Sequence, residues 1–355
     1  MRTAVRTLVI TGLAVGLLVL FLRNADLARV GAAMRTARWD LLALTLAVTA
    51  LTFVIRAERW QYLLSPLGPT RFSVAFRTTM IGFAASALLP ARAGEVLRPY
   101  LLAKREGLDP SAAFATVVVE RILDLAAVLA LLAVYLVAFD TGAAVTAPAL
   151  YHAVRLGAAV MAPIGLGALV VMMVLAAHPE RLHGLVLRVE HVLPARIAQA
   201  VANFARSFAL GLAVVRRPGR LLAALGLSLL LWLLICATVW LVARALAIDL
   251  PFPGSFLLTA MVVVGVAIPT PGGVGGVHEA YRLGATAFFG APNDAAIGAA
   301  ILFHATGMVP VLVLGLWFAA RDGLSMGRLK AMTGEASAAE VPAADAGRAP
   351  LTARR

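Results

Sequence analysis

The sequence predicts an all-α polytopic membrane protein with six full spans and two re-entrant helical hairpins arranged as an inverted repeat. Three observations carry this expectation. The 355 residues are 61% hydrophobic and only 14% charged, whereas a soluble domain carries about 25% charged residues. Apolar runs near the length of a bilayer-crossing helix, roughly 20 residues, recur along the whole chain. Two stretches 181 positions apart share a pattern of proline, glycine and charge. Eight simple spans are the alternative.

The runs fall at about 4–22, 39–55, 72–90, 111–139, 149–177, 219–247, 252–270 and 292–320. The first imitates a secretory signal, with Arg2 and Arg6 ahead of an apolar stretch. No small-x-small cleavage pattern follows it, so it is expected to stay as the first helix. Arg56, Glu58 and Arg59 close the second run, where they are expected to snorkel as interfacial anchors. Residues 196–215 have apolar positions interrupted by Asn203, Arg206 and Ser207, the pattern of an interfacial amphipathic helix. The transmembrane domain is expected to occupy 1–325. Residues 326–355, rich in Ala, Pro, Gly and charge, are expected to be a disordered cytoplasmic tail.

The formal net charge of +13 raises the question of nucleic acid. The basic residues nevertheless lie mostly in short connections, where cytoplasmic positive charge sets topology, and no aromatic-interleaved basic patch accompanies them. Nucleic acid is therefore not an expected partner. Cys236 is the only cysteine, which excludes a disulfide framework and a cysteine metal site. No Walker-type phosphate loop is present, so direct ATP drive and a cofactor are not expected.

Charge placement supplies the topology. Arg56, Arg59, Arg71 and Arg77 precede or open the third run, and Lys104 and Arg105 follow it. All of them favour the cytoplasm, which holds if 72–105 enters from that side and returns. The connections at 140–148 and 248–254 carry one acidic residue each and no Lys or Arg. They belong outside, so 252–290 becomes a hairpin entering from outside. Arg321, Arg328 and Lys330 then lie inside, as do both termini, in a bacterial-type inner membrane. The first loop, with Arg23, Arg29, Arg35 and Arg38, is the one departure from the rule.

The repeat pairs Met80 to Pro90 with Met261 to Pro271, and Gly107-Leu-Asp-Pro110 with Gly290-Ala-Pro-Asn293 at 183 positions. Its units run from about 39–139 and 220–320, and internal symmetry of this kind is typical of transporters.

Candidate chemistry sits at the breaks and in one long helix. Glu120, Arg121 and Asp124 lie about 13 Å into a helix starting near Ser111, at 1.5 Å per residue, and their spacing allows all three to share a face. A charge at mid-membrane costs roughly 2.5 to 3.5 kcal/mol. The cluster is therefore either an ion-pair knot or a substrate or coupling-ion site. Pro90, Pro269 and Pro271 break helices at membrane depth, where irregular backbone must be buried or line a cavity. Gly272 and Gly273 either form a tight tip or let a phosphate approach the backbone. Arg92, Arg98 and Arg282 offer forks for phosphate oxygens. Glu95 and Glu279 either pair with them or bind a proton. His278 and His304 are proton relays or packed rings.

The combination Pro90-x-Arg92-x-Gly94-Glu95-x-x-Arg98, Glu120-Arg121-x-x-Asp124 and Pro269-x-Pro271-Gly-Gly-Val-Gly, with Glu279-Ala280 beyond, resembles the lysylphosphatidylglycerol synthase transmembrane region, also called the flippase-like domain family. The resemblance spans roughly 1–325 and implies a polytopic domain that moves a lipid between leaflets. Its best-understood members carry a fused cytoplasmic aminoacyl transferase, which is not expected after Leu324. His304 stands where family members often carry Arg, and His278 where a second basic residue is common. The resemblance thus implies a flippase-like transporter of an anionic or lipid-linked substrate, with membrane lipids as partners. The alternatives are a non-catalytic partner of a separate lipid-modifying enzyme and an intramembrane transferase with Glu95 or Glu120 as base.

Overall fold

The structure, a computed structural model, describes residues 12, 15–23, 25–89, 92–139, 143–177, 207–268, 270–325, 327–329 and 331–332. Its described elements are helical. They are α1 (15–22), α2 (Leu27–Arg35), α3 (Trp39–Leu64), α4 (Phe72–Leu88), α5 (Gly94–Glu106), α6 (Pro110–Ala138), α7 (Ala143–Thr146), α8 (Pro148–Ala177), α9 (Ser207–Arg216), α10 (Pro218–Ala245), α11 (Gly254–Ala267), α12 (Gly276–Phe289) and α13 (Asn293–Arg321). This is an all-α polytopic membrane protein. Helices α3, α8, α10 and α13 are long and apolar enough to cross a bilayer, and the 29-residue α6 is as long but carries three charges in its middle.

Local sequence sets the helix ends. Asp26 caps α2 by accepting the N–H groups of Ala28 and Arg29. Asp109 caps α6 by accepting from Ala112 at 2.9 Å, with Pro110 in the first turn, where its missing N–H costs nothing. Helices α5 and α12 stop at Gly107 and Gly290, whose φ of 67° and 60° lie in the left-handed region that glycine enters without a Cβ clash.

Four helices of intermediate length are also too short to span. At 1.5 Å per residue, the 17, 13, 14 and 14 residues of α4, α5, α11 and α12 reach about 20 to 26 Å, against roughly 30 Å of hydrocarbon. They pack as two hairpins of one construction. Gly82 of α4 crosses Gly94 of α5 so closely that a Cβ on Gly94 would overlap the Gly82 carbonyl and one on Gly82 would strike Arg98 Cβ, while a Cβ on either Gly265 of α11 or Gly276 of α12 would overlap the other's carbonyl. Gly265 follows Gly82 by 183 positions and Gly276 follows Gly94 by 182, close to the spacing of the expected repeat.

The packing partners also match in pairs. Helix α4 lies on α13 and α11 on α6; α5 lies on α6 and α12 on α13; α3 lies on α10. The last pair runs antiparallel. Arg38 N–H, at the start of α3, donates to Ala245 O at the end of α10 (2.9 Å), while Arg59 reaches Ser228 farther back (2.7 Å). Each hairpin begins and ends at one end of the molecule. Arg71 before α4 pairs with Glu106 at the close of α5 (3.2 Å), and neighbouring Arg105 pairs with Asp322 after α13 (2.7 Å). At the opposite end Gly254, opening α11, abuts the Phe289 ring that closes α12, and Asp26 N–H bonds Asp294 Oδ1 (3.2 Å).

The 30-residue α8 buries only Met172 and Ala176, leaving an apolar surface for lipid. Helix α9 departs from the expected interfacial helix over its described part: Leu212, Val214 and Val215 are buried in a cluster with α6 and α8, and Gly211 abuts Ala112. Residues 196–206 of that expectation, and nearly all of the expected tail, lie outside the described residues.

Candidate functional site: a charged core beneath a cavity between two hairpin tips

Helix α6 carries Glu120 and Asp124 into the protein interior, where four guanidinium groups converge on them. Glu120 Oε1 accepts from Arg98 Nη1 of α5 (3.1 Å) and Arg121 Nη2 (3.0 Å). Arg59 Nη2 lies 3.3 Å from the same oxygen and Arg56 Nη1 3.8 Å. Asp124 Oδ1 accepts from Arg59 Nη1 (2.6 Å) and from Trp232 Nε1 of α10 (3.0 Å). Arg59, Arg98 and Glu120 are fully or almost fully buried. Arg98 also stacks over Trp60 at 3.8 Å, and Trp60 is fixed by donating to Thr116 Oγ1 (3.0 Å). Cation over indole is the geometry that stabilises a desolvated guanidinium.

Four cations on two carboxylates leave two positive charges unbalanced. The excess faces a cavity of about 400 Å³. Arg121, with 43% of its side chain exposed, and Arg56 form part of its wall; Arg92 and Glu95 line it from the first hairpin, 3.6 Å apart. The second hairpin contributes Gly272 and Gly273, and α13 contributes His304. Hydroxyl groups complete the lining. Thr52, Thr238 and Thr306 donate to carbonyls of their own helices, which leaves oxygen lone pairs available. Ser86 Oγ and Thr270 Oγ1 have no hydrogen-bond partner among the described residues.

The two tips meet at this cavity. Arg92, at φ 53° a rare left-handed non-glycine residue, reaches across to donate from Nη2 to Val266 O of α11 (2.6 Å). Gly272, Gly273 and Gly275 take φ of 60°, 74° and 88°, so the second tip folds through conformations that side chains resist. Its bonds are specific. Gly275 N–H donates to His278 Nδ1 (3.2 Å), His278 Nε2 lies 3.2 Å from His304 Nδ1, and His304 Nε2 lies 2.9 Å from Gly272 O.

Residues 5–315 match the protein-family model described as Lysylphosphatidylglycerol synthase TM region. The chain belongs to this family. No curated protein matches the sequence. The family match covers both hairpins, the charged core and α13 as far as Gly315, so every side chain of the cavity lies inside the region the family shares.

Within this family domain the structure separates the residues that sequence reasoning had grouped. Arg92, Glu95, Gly272, Gly273, Arg121 and His304 do line one cavity. Arg98 does not: it is sealed against Glu120 and Trp60. Arg282 is equally occupied, bonded to both Glu279 oxygens (2.8 and 2.5 Å) and to Asn293 Oδ1 (3.0 Å), and neither it nor Glu279 lines the cavity. A clamp of Arg92, Arg98 and Arg282 on one headgroup is thus not what the chain builds. His278 is buried, with its ring 5.1 Å from that of Phe21. Pro90 and Pro269 lie outside the described residues, but α4 ends at Leu88 and α11 at Ala267 beside them; Pro271 opens the short 3-10 turn of the tip.

The residues missed were Arg56 and Arg59, read as snorkelling anchors. Helix α3 instead continues to Leu64, which places Arg59 inside the protein with no exposure. The available signal was length: a helix carried past the charges for another turn and more does not end at the interface. Glu58, exposed on the other face, fits the anchor role.

Proposed function

We propose that this protein moves an anionic lipid between leaflets, with the headgroup in the cavity and the acyl chains in the bilayer. The observation that carries this reading is the unbalanced positive charge of the core, presented by Arg121 and Arg56 to a cavity of about 400 Å³ between two hairpin tips. A cation at mid-membrane is expensive unless it is matched, and a phosphate in the cavity would match it in the bidentate geometry that arginine favours. The hydroxyl lining suits the polar remainder of a headgroup.

The packing supports an alternating mechanism. Equivalent helices α3 and α10 run antiparallel, and each hairpin enters and returns at its own end of the molecule. We read this as an inverted repeat with two re-entrant hairpins, the arrangement in which a midplane site opens to either side by rocking one unit against the other. The end that carries Arg71, Lys104, Arg105 and Arg217 would face the cytoplasm. Transport is favoured over group transfer because Glu120, a candidate base on sequence, is already committed to arginine.

Reconstitution into liposomes tests the reading. Fluorescent phosphatidylglycerol should exchange leaflets in protein-bearing vesicles without forming a new lipid product. Exchange no faster than in empty vesicles would point to an assembly partner, and product formation to an enzyme.

A further inference from the structure

The second hairpin's tip is held by one directed chain of hydrogen bonds, and its direction follows from the two groups at its ends. An amide N–H only donates, so the His278 Nδ1 atom that faces Gly275 N–H carries a lone pair. The ring proton of neutral His278 is therefore on Nε2. That proton points at His304 Nδ1, which must accept it. His304 in turn carries its proton on Nε2, facing Gly272 O, a group that only accepts. With both rings neutral every contact is satisfied, by one assignment.

A further proton has only the two Nδ1 atoms to occupy, and each already faces an N–H. Charging His304 sets its new Nδ1–H against His278 Nε2–H. Shifting the His278 proton to Nδ1 relieves that contact and sets it against Gly275 N–H instead. Gly275 and Gly276 also form the N-terminus of α12, where the aligned peptide dipoles oppose a cation. Protonation therefore breaks the chain wherever the proton sits.

We infer that the His278 and His304 pair is a proton-binding site that latches the second hairpin's tip while neutral and releases it when charged. His304 lines the cavity beside Gly272, so an anionic headgroup there offers the acceptor that the extra N–H needs. This coupling rests on the transport reading; the latch itself does not. The surroundings favour the pairing of proton with anion. Helices α1 and α11 present no charged side chain, and α1 contributes the Phe21 ring. On α12 the nearest charges, Glu279 and Arg282, neutralise each other. On α13 Asp294 bonds back to Asp26 at the far end. The first hairpin contributes Arg92 and Glu95, and α3 and α6 contribute Arg56 and Arg121. That net positive field resists a proton until an anion enters, and by linkage each ligand then strengthens binding of the other.

The test uses full-length protein in liposomes, with Cys236→Ala as background and a nitroxide attached at Val274→Cys in the tip. In vesicles that contain phosphatidylglycerol as the anion, lowering the pH from about 8 to about 4.5 goes through and below histidine's ordinary range and is expected to add a mobile component to the spectrum. His304→Gln, which keeps a donor and an acceptor but takes no proton, should abolish that change, and His278→Asn should do so independently. A spectrum that ignores pH, or a change surviving both substitutions, overturns the proton site. Translocation of fluorescent phosphatidylglycerol in the same vesicles should change by at least about fivefold over this range and lose its pH dependence in His304→Gln. A tip that responds in vesicles that never translocate lipid upholds the proton site and removes the transport reading.

Discussion

Arg59 and Asp124 meet at 2.6 Å across the interface of α3 and α6, 65 positions apart in the chain, with both side chains shut away from solvent. Arg59 is also bonded to Ser228 of α10, so one guanidinium ties three helices together. Removing either partner of a buried pair strands the other. Arg59→Ala should therefore lower stability by about 3 to 5 kcal/mol, read as a large drop in detergent melting temperature. The double variant Arg59→Met with Asp124→Leu should recover part of that loss. A melting point unchanged by Arg59→Ala would mean that this core does not hold the helices.

Arg121 and Arg98 share the same carboxylate oxygen but should behave oppositely. Arg121 is partly open to the cavity and its loss leaves Glu120 with Arg98 and Arg59; Arg121→Gln should cost at most about 1 kcal/mol yet abolish translocation. Arg98→Gln should lower stability and transport together, by about 3 kcal/mol or more. Melting temperature measured beside liposome translocation distinguishes the two, with exposed Arg155→Gln of α8 as control.

The arginine forks expected from sequence differ in their surroundings. Arg92→Gln should stop translocation, because Arg92 lines the cavity and spans the tips, whereas Arg282→Gln should act chiefly through stability by stranding Glu279. Transport lost equally in both, with melting temperatures unchanged, would restore a role for Arg282 at the headgroup.

The glycine crossings allow a geometric test. Gly94→Ala or Gly276→Ala places a methyl against the partner helix's backbone, where no side chain can move aside. Each should cost about 1 to 3 kcal/mol by overpacking. Gly167→Ala on α8, with open space around it, should be neutral or slightly stabilising.

Orientation is tested at the two ends of the antiparallel pair. With Cys236 replaced, Ser65→Cys after α3 should react with an impermeant thiol reagent only from the cytoplasmic side. Asp249→Cys, after α10, should react only from outside. Labelling of both from one face would contradict the inverted arrangement.

The span limits were legible because they are local. Expected runs at 72–90, 111–139 and 292–320 became α4, α6 and α13 within two residues at each end. Apolar content, a capping Asp109 and stopping glycines at 107 and 290 act within a turn of where they stand. The pair Glu279 and Arg282 is equally local, an i,i+3 contact on one helix face, although the sequence left open whether Glu279 pairs with an arginine or binds a proton.

The same spacing links Glu95 to both Arg92 and Arg98, and here only the tertiary structure chose. Glu95 keeps Arg92 at the cavity, while Arg98 turns to Glu120 on the neighbouring helix. That choice depends on how α5 is rotated against α6, which is set where Gly82 and Gly94 let α4 approach α5 to backbone contact. The sequence by itself determined that the chain is a polytopic helical membrane protein, where several of its long helices start and stop, and that charges had to be buried among them. Which arginine is buried and which is left facing the cavity was decided by helix packing, because a guanidinium's partner is fixed by the relative rotation of helices far apart in the chain, and no local pattern encodes that angle.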